Sequence, residues 1–356
     1  MKRQRPSAPA AEAGQPLRDR RQRPWRDLRI SLTDRCNFRC SYCMPRSRFG
    51  PGHRFLPQTQ LLSFEEVTQV AQEALQLGVN TLRLTGGEPL LRRDLPQLVR
   101  QLAALRTPAG AAPDLALTTN GSLLTALAEP LRAAGLQRLT VSLDALDPEL
   151  FGQMNAVGFP VTQVLRGLEA AQRAGFDRVK VNMVVRKGLN DHQALPMAAH
   201  FRNTGMVLRF IEFMDTGSHN SWQCDEVLPS RELRERLHAH WPLRPLEATR
   251  SGETAERWAY ADGAGEVGFI SSVSQAFCGD CTRARLTADG RLFTCLFGSF
   301  GHDLRPLLRG AQGGPAELRE RLSAIWRMRA DAYSEQREQL RATQTTTRAE
   351  MHELGG

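Results

Sequence analysis

Two triples of cysteine carry the chemistry this sequence can do. The first is Cys36-Asn-Phe-Arg-Cys40-Ser-Tyr-Cys43, with the spacing C-x3-C-x2-C, directly after the apolar run Leu28-Arg-Ile-Ser-Leu32. The second is Cys278, Cys281 and Cys295, with the spacing C-x2-C-x13-C. Thiolates are soft ligands that select iron–sulfur clusters, zinc or copper. A 4Fe–4S cluster normally takes four thiolates. Three from one loop leave one iron open, and an open metal position marks a reacting site, not a structural one. The alternative for the first triple is zinc with a distant fourth ligand, although zinc sites usually pair their cysteines differently. For the second it is a Cys3His zinc site completed by His302. Cys224, the remaining cysteine, reads as a small buried hydrophobe without a role. Two open clusters facing each other would form one reaction chamber.

Other reactive residue types gather near predicted strand ends. Thr85-Gly-Gly-Glu-Pro89, Thr118-Thr-Asn-Gly121, Ser142-Leu-Asp144 and Glu212-Phe-Met-Asp215 each follow a β-rich run, and Lys180 lies on one. Alone, each reads as a turn or a cap; together they would occupy one rim. In Thr282-Arg283-Ala-Arg285 the two arginines are two residues apart, so an extended chain points both to one side. Their guanidinium forks suit phosphates and the acceptor edges of bases.

The elements that must position these groups alternate strand and helix. Predicted strands are Asp27–Leu32, Thr81–Thr85, Asp114–Thr119, Arg138–Leu143, Arg178–Val185 and Val207–Phe213. Predicted helices are one beginning at Ser63, where Ser-Phe-Glu-Glu66 has the form of a capping box, and others near Asp94–Leu105, Leu123–Ala134, Thr162–Ala174, His192–Arg202 and Ser230–Trp241. Gly78, Gly135, Gly175 and Gly205 read as helix stops. Six such units imply an α/β fold with a parallel sheet, an open partial β/α barrel whose function gathers at the C-terminal strand ends. Residues 245–275 read as hairpin material, and a C-terminal α+β region carrying the second triple would close the barrel. The expected divisions are 1–24, a disordered basic extension; 25–240, the partial barrel; and 241–356, the C-terminal region. The stretch from Thr107 to Asp114 reads as a surface insertion.

Charge and composition exclude several classes. Of the net charge of +9, residues 1–26 supply +6, with eight basic residues against two acidic ones. The remainder is only mildly basic, which argues against a nucleic-acid footprint. No apolar run approaches the ~18 residues of a membrane span, and no secretory signal is recognisable; a transit peptide in the Arg-rich first residues is disfavoured by the lack of an amphipathic pattern. Six cysteines in two triples point to a reducing compartment, so a cytoplasmic location is expected.

The first triple, with the aromatic Tyr42 before its last cysteine, resembles the signature of the radical S-adenosylmethionine (SAM) enzymes. Over about residues 25–356 the chain resembles the GTP 3′,8-cyclase family, which opens molybdenum cofactor biosynthesis. The motifs that carry this are both triples, Asp34-Arg-Cys-Asn-Phe-Arg-Cys, Thr85-Gly-Gly-Glu-Pro-Leu-Leu-Arg, Val141-Ser-Leu-Asp, Ile211-Glu-Phe-Met-Asp, Cys281-Thr-Arg-Ala-Arg and the terminal Gly355-Gly356. The resemblance implies two 4Fe–4S clusters, held by Cys36, Cys40 and Cys43 and by Cys278, Cys281 and Cys295. It implies SAM contacts at Tyr42, Gly87, Ser142 and Met214, and GTP contacts at Arg29, Arg83, Thr118, Lys180, Arg283 and Arg285. Arg283, Arg285, Gly355 and Gly356 are implied in catalysis, the glycine tail reaching into the chamber; fraying of the terminus is the other reading. The implied reaction uses a 5′-deoxyadenosyl radical to remove the ribose 3′ hydrogen of GTP, after which C3′ attacks C8 of guanine. Implied partners are an electron donor such as flavodoxin or ferredoxin and, downstream, cyclic pyranopterin monophosphate synthase; a homodimer is left open, and neither membrane nor nucleic acid is expected. The rival readings are a peptide-modifying radical SAM enzyme, which would carry a longer C-terminal cysteine set, and a non-enzymatic metal protein binding nucleic acid through its basic tail.

Overall fold

The computed structural model describes residues 17–250, 252–310, 313–337 and 348–355. Six strands lie side by side in chain order, all parallel: β1 (Asp27–Ser31), β2 (Thr81–Thr85), β3 (Asp114–Thr119), β4 (Arg138–Ser142), β5 (Lys180–Val185) and β6 (Val207–Glu212). They coincide with the expected strands to within two residues. Helices cover their outer face. The first, α1 (Phe64–Gln76), has the expected capping box: Glu66 N donates to Ser63 Oγ at 3.1 Å, and Ser63 N donates to Glu66 Oε2 at 2.7 Å. The remaining crossover helices are α2 (Leu95–Ala104), α3 (Leu124–Ala133), α4 (Pro148–Asn155), α5 (Val161–Arg173) and α6 (Ala194–Phe201). Of these α4 is additional to the sequence reading; Asp147 caps it by accepting from Leu150 N. The four expected helix-stop glycines all have positive φ.

The sheet is wider than six strands. After α7 (Ser230–His240) the chain forms β7 (Leu243–Leu246), β8 (Glu256–Tyr260) and β9 (Glu266–Ile270). The expected hairpin is present as antiparallel β8–β9, but β9 also joins β6 in parallel. Next, β10 (Arg283–Leu286) joins β1 in parallel, followed by antiparallel β11 (Arg291–Phe293) and β12 (His302–Asp303). The order is β12-β11-β10-β1-β2-β3-β4-β5-β6-β9-β8-β7, so the barrel is open between its two antiparallel margins. The C-terminal region thus extends both edges of the sheet, and position 240 is no break in it. A parallel strand reached without a helical crossover leaves no β–α alternation in the sequence to announce it.

The expected extension over 1–24 differs from the structure in its described part; residues 1–16 lie outside the described residues. Leu17, Asp19 and Arg23 are buried, and Arg18 and Pro24 form an antiparallel bridge. Trp25 stacks on Trp326 of α9 (Pro315–Met328), with centroids 5.3 Å apart and planes at 11°, and both are fully buried. The indole N–H of Trp326 donates to the Arg23 carbonyl at 3.1 Å. Removing a large aromatic from such a position costs about 3–5 kcal/mol. Trp326→Ala is therefore expected to lower unfolding free energy by that order in urea titrations; a loss below about 1 kcal/mol would mean that this stack does not anchor the segment.

Candidate active site

The first cysteine triple lies on the loop that leaves the C-terminal end of β1. Two neighbouring loops frame it. Gly87 N donates to Thr33 O at 2.8 Å and Glu88 N to Arg35 O at 2.8 Å. A Cβ on Gly87 would stand 2.2 Å from Arg35 O, so only glycine lets this strap press on the cysteine loop. The Glu88 carboxylate accepts from Leu90 N, Thr119 Oγ1 and Asn120 N, tying the loop after β2 to the loop after β3. Asn120 Nδ2 in turn donates to Asn37 Oδ1 at 2.8 Å and lies 3.8 Å from Cys36 Sγ. Tyr42 donates its hydroxyl to Asp144 Oδ2 at 2.6 Å, crossing to the end of β4, where Ser142 also sits.

Burial, with a smaller contribution from Glu88, pushes the Cys36 thiol up to about 11, and burial raises Cys40 and Cys43 further. The protein alone thus disfavours thiolates here, and a cationic metal centre is what would stabilise them. Among the described residues no three His, Cys, Asp or Glu side chains are gathered as a single-ion cage. Three soft thiolates in each triple fit an iron–sulfur cluster.

Along the inner face of the sheet runs a row of cations. The register sets Arg29 of β1 beside Arg83 of β2 on one side and Arg285 of β10 on the other, with Arg283 opposite Asp27. Arg83 Nη1 donates to Thr118 Oγ1 at 3.2 Å and Thr140 Oγ1 at 3.3 Å. Arg29, Arg83, Thr118, Lys180, Arg283 and Arg285 all line one cavity, together with Met214 and the three cysteines of the second triple. Burial and mutual repulsion depress these cations: Lys180 falls to about 7, Arg83 and Arg285 to about 10, and Arg29 also falls well below its ordinary value. Arg209 of β6 lines the same cavity, hydrogen-bonded to Asn182 Oδ1 at 3.0 Å and lowered to about 9, chiefly by burial. Sequence reasoning missed it, although it is an arginine within an apolar strand, as are Arg29 and Arg83, which the family resemblance implied.

In the second triple, Cys278 and Cys281 bracket a short turn after β9, and Cys295 follows β11. Burial raises the Cys281 thiol, but Arg283, Arg329 and Arg285 outweigh it and bring it to about 5, so it is a thiolate at neutral pH. Cys295 goes the other way, up to about 11, through burial and Asp331. His302 sits on edge strand β12 against Phe300 and is not part of the cavity wall. Cys224 is exposed, against the expectation of a buried hydrophobe.

The C-terminal segment closes the cavity. Asp215 accepts from Tyr333 Oη at 2.7 Å, Arg337 Nε at 2.9 Å and Arg348 Nη1 at 3.3 Å. Glu350 accepts from Ser218 N at 3.0 Å and pairs with His219 Nδ1 at 2.6 Å. These contacts seat a last helical turn, α10 (Met351–Leu354), with Leu354 and His352 buried and Met351 in the cavity wall. Gly355 reaches the end of β2 with φ +68°, and a Cβ there would lie 2.0 Å from Thr85 Cγ2. The tail is packed through Gly355; Gly356 lies outside the described residues. Glu212 and Asp215, singled out as rim chemistry, work structurally: Glu212 accepts from Ser230 N, Val273 N and Ser274 N, and Asp215 moors the tail.

Residues 30–200 match the Radical SAM superfamily, and residues 206–335 match Molybdenum Cofactor Synthesis C. Their junction falls before β6, earlier than the expected division at 240. The chain is 53% identical to the GTP 3′,8-cyclase of Xanthomonas campestris pv. campestris (strain B100) over 344 residues, covering 96% of this chain and 98% of that protein. It is 52% identical to the GTP 3′,8-cyclase of Acidothermus cellulolyticus over 326 residues, 91% and 89% of the two chains. In fold it resembles Streptococcus suis SuiB bound to S-adenosylmethionine, at a TM-score of 0.55 and 13% identity, over 87% of this chain and 65% of that one. On near-full-length identity of this order, the chain belongs to the GTP 3′,8-cyclase family of radical SAM enzymes.

Proposed function

We propose that the two cysteine triples and the cation row between them form one GTP-cyclising chamber. Cys36, Cys40 and Cys43 hold the 4Fe–4S cluster that binds SAM, with Tyr42, Gly87, Ser142 and Met214 around the SAM. Cys278, Cys281 and Cys295 hold a second cluster that anchors the guanine end of GTP. Arg29, Arg83, Thr118 and Lys180 hold the triphosphate, and Arg283 and Arg285 bridge it to the second cluster. The observation that carries this reading is that the six proposed GTP residues and the second triple line one cavity. With both clusters and SAM bound, the site would supply a 5′-deoxyadenosyl radical to remove the ribose 3′ hydrogen as 5′-deoxyadenosine; closure of C3′ onto C8, completed by one electron from the donor and one proton at N7, would give (8S)-3′,8-cyclo-7,8-dihydroguanosine 5′-triphosphate.

The chain's own residues bind, orient and exclude water. Arg83 is pre-aimed by Thr118 and Thr140, so little rotamer freedom is lost on meeting phosphate. Arg283 and Arg285 keep Cys281 ionised and therefore ready to ligate. Gly355 packs beside Thr85 where no side chain fits, and with Gly356 it is proposed to act in catalysis. Flavodoxin or ferredoxin is the proposed electron donor and cyclic pyranopterin monophosphate synthase the consumer of the product; a homodimer is compatible with this reading. Among the described residues no helix is long and apolar enough to cross a membrane, and the cysteine usage supports a cytoplasmic location.

Anaerobically reconstituted protein is expected to hold about eight irons with matching sulfide, four per cluster; stoichiometric zinc instead would overturn the assignment. Cys278→Ser should retain SAM cleavage and lose cyclised product, and unchanged product formation would remove the second triple from substrate anchoring. Gly355→Ala should cut turnover at least about tenfold, since both its φ and its contact with Thr85 reject a Cβ, while the thermal midpoint moves little; an equal loss of both would make the tail merely structural.

The depressed Lys180 sets a pH dependence. In the free protein it titrates at about 7, because burial and then Arg209, Arg138 and Arg83 oppose its charge. A bound triphosphate favours the charged form and raises that value. Below pH ~7 the lysine is already protonated; above it, GTP must bind together with a proton. GTP affinity is therefore expected to fall as pH rises from about 7.5 to 9, by up to about tenfold per unit, with proton uptake measurable by calorimetry in buffers of different ionisation enthalpy. Lys180→Met should flatten the profile, and a pH-independent affinity in the unsubstituted protein contradicts the role given to Lys180.

A further inference from the structure

Arg23 comes from the segment that composition marks as a loose basic extension, yet it is 2% exposed and forms part of the wall of the cavity that Cys278, Cys281 and Cys295 also line. A guanidinium has five N–H donors. Three of them are spoken for: Nε donates to Asp19 Oδ2 at 2.6 Å, and Nη1 donates to Cys278 O at 2.8 Å and Asp331 O at 2.8 Å. Nη2 is buried and has no partner among the described residues. Leaving a buried charged donor unsatisfied is costly, so such a group points to a ligand that completes it.

The surroundings are built to hold this arginine still. Arg23 N donates to Asp19 Oδ1 at 2.9 Å, and the Arg23 carbonyl accepts from the Trp326 indole. Asp19 is shared with Arg329, whose Nη1 lies 3.5 Å from Asp19 Oδ2 and donates to Cys281 O at 2.7 Å. Arg329 Nε also pairs with Asp331 Oδ2 at 3.1 Å, so two guanidinium groups meet two carboxylates beside the cysteines, and Arg23 Nη2 is the donor left over. A cluster held by thiolates is electron-rich there, and donors to its sulfurs raise its reduction potential.

We infer that Arg23 is a positioning residue for the second cluster: through Nη1 it fixes the backbone of Cys278, and through Nη2 it donates to a sulfur of the group those cysteines hold. This rests on the reading that Cys278, Cys281 and Cys295 bind a 4Fe–4S cluster. The segment before β1 is then part of the site, although none of it belongs to the barrel.

The test uses the full chain with Cys36, Cys40 and Cys43 all changed to Ser, so that only the second cluster is observed. Iron content, the electron paramagnetic resonance spectrum and the midpoint potential are measured with Arg23, Arg23→Gln and Arg23→Lys. Arg23→Gln is expected to make reduction about tenfold less favourable, which for a one-electron couple is a shift of about 59 mV to more negative potential, with an altered spectrum. Arg23→Lys keeps a charge for Asp19 but lacks the guanidinium fork; it guards against a Gln variant that loses iron or does not fold, and a negative shift with the Lys variant supports the inference in its place. Full iron with unchanged potential and spectrum in the folded variants overturns it. No iron–sulfur signal in the protein that retains Arg23 removes the cluster reading itself, an outcome distinct from failure of Arg23 alone.

Discussion

Buried positive charge only partly matched by negative charge is the constraint on which this fold turns. Arg29, Arg83, Lys180, Arg209, Arg283 and Arg285 face one cavity, where burial opposes the charge of Arg29, Arg83, Lys180, Arg209 and Arg285. A protein stable without ligand would not gather them, because an uncompensated interior charge is costly. In the proposed reading, a polyanion bound in the chamber would offset that cost. Parallel strands suit such a row of charges. Their register places cations of adjacent strands side by side at fixed spacing, so the charge pattern is as rigid as the sheet.

The C-terminal region is not an appendage to the barrel. It supplies β9 and β10 to the two sides of the parallel sheet, the second triple to the mouth, and the tail that closes the cavity. The tail has little apolar surface of its own. It is held by a hub in which Asp215 accepts from Tyr333, Arg337 and Arg348, with Arg348 over the Tyr333 ring at 4.4 Å. A moored tail can carry a glycine at position 355, because the seat is provided upstream and Gly355 fits the crowded place beside Thr85.

The parts legible in the sequence were those with local causes. Period-two strands, the Ser63 capping box and helix-stop glycines depend on neighbours within a few residues, and each appears where expected. The cysteine spacings and the paired Arg283 and Arg285 were legible for the same reason. The illegible parts depend on distant partners. Residues 17–24 look disordered because their charges outnumber their apolar groups; their order comes from Asp19 meeting Arg329, 310 positions away, and from Trp326. Strands β9 and β10 lacked the helical crossovers that flag parallel strands. Glu212 and Asp215 looked reactive because a carboxylate at a strand end reads alike whether it meets substrate or backbone amides. The Gly86-Gly87 pair presses on the backbone of the cysteine loop, a contact that the sequence alone does not announce.

The pairing of β10 with β1 joins Asp27 to Arg283, two positions more than 250 residues apart. During synthesis at about 5–20 residues per second, Cys36, Cys40 and Cys43 leave the ribosome roughly 10–50 s before the strand that shields their side of the sheet. For that interval the nascent chain presents three thiols to whatever oxidant or stray metal is at hand. A slow codon stretch between β6 and β10 would lengthen that interval without altering a single residue of the finished enzyme.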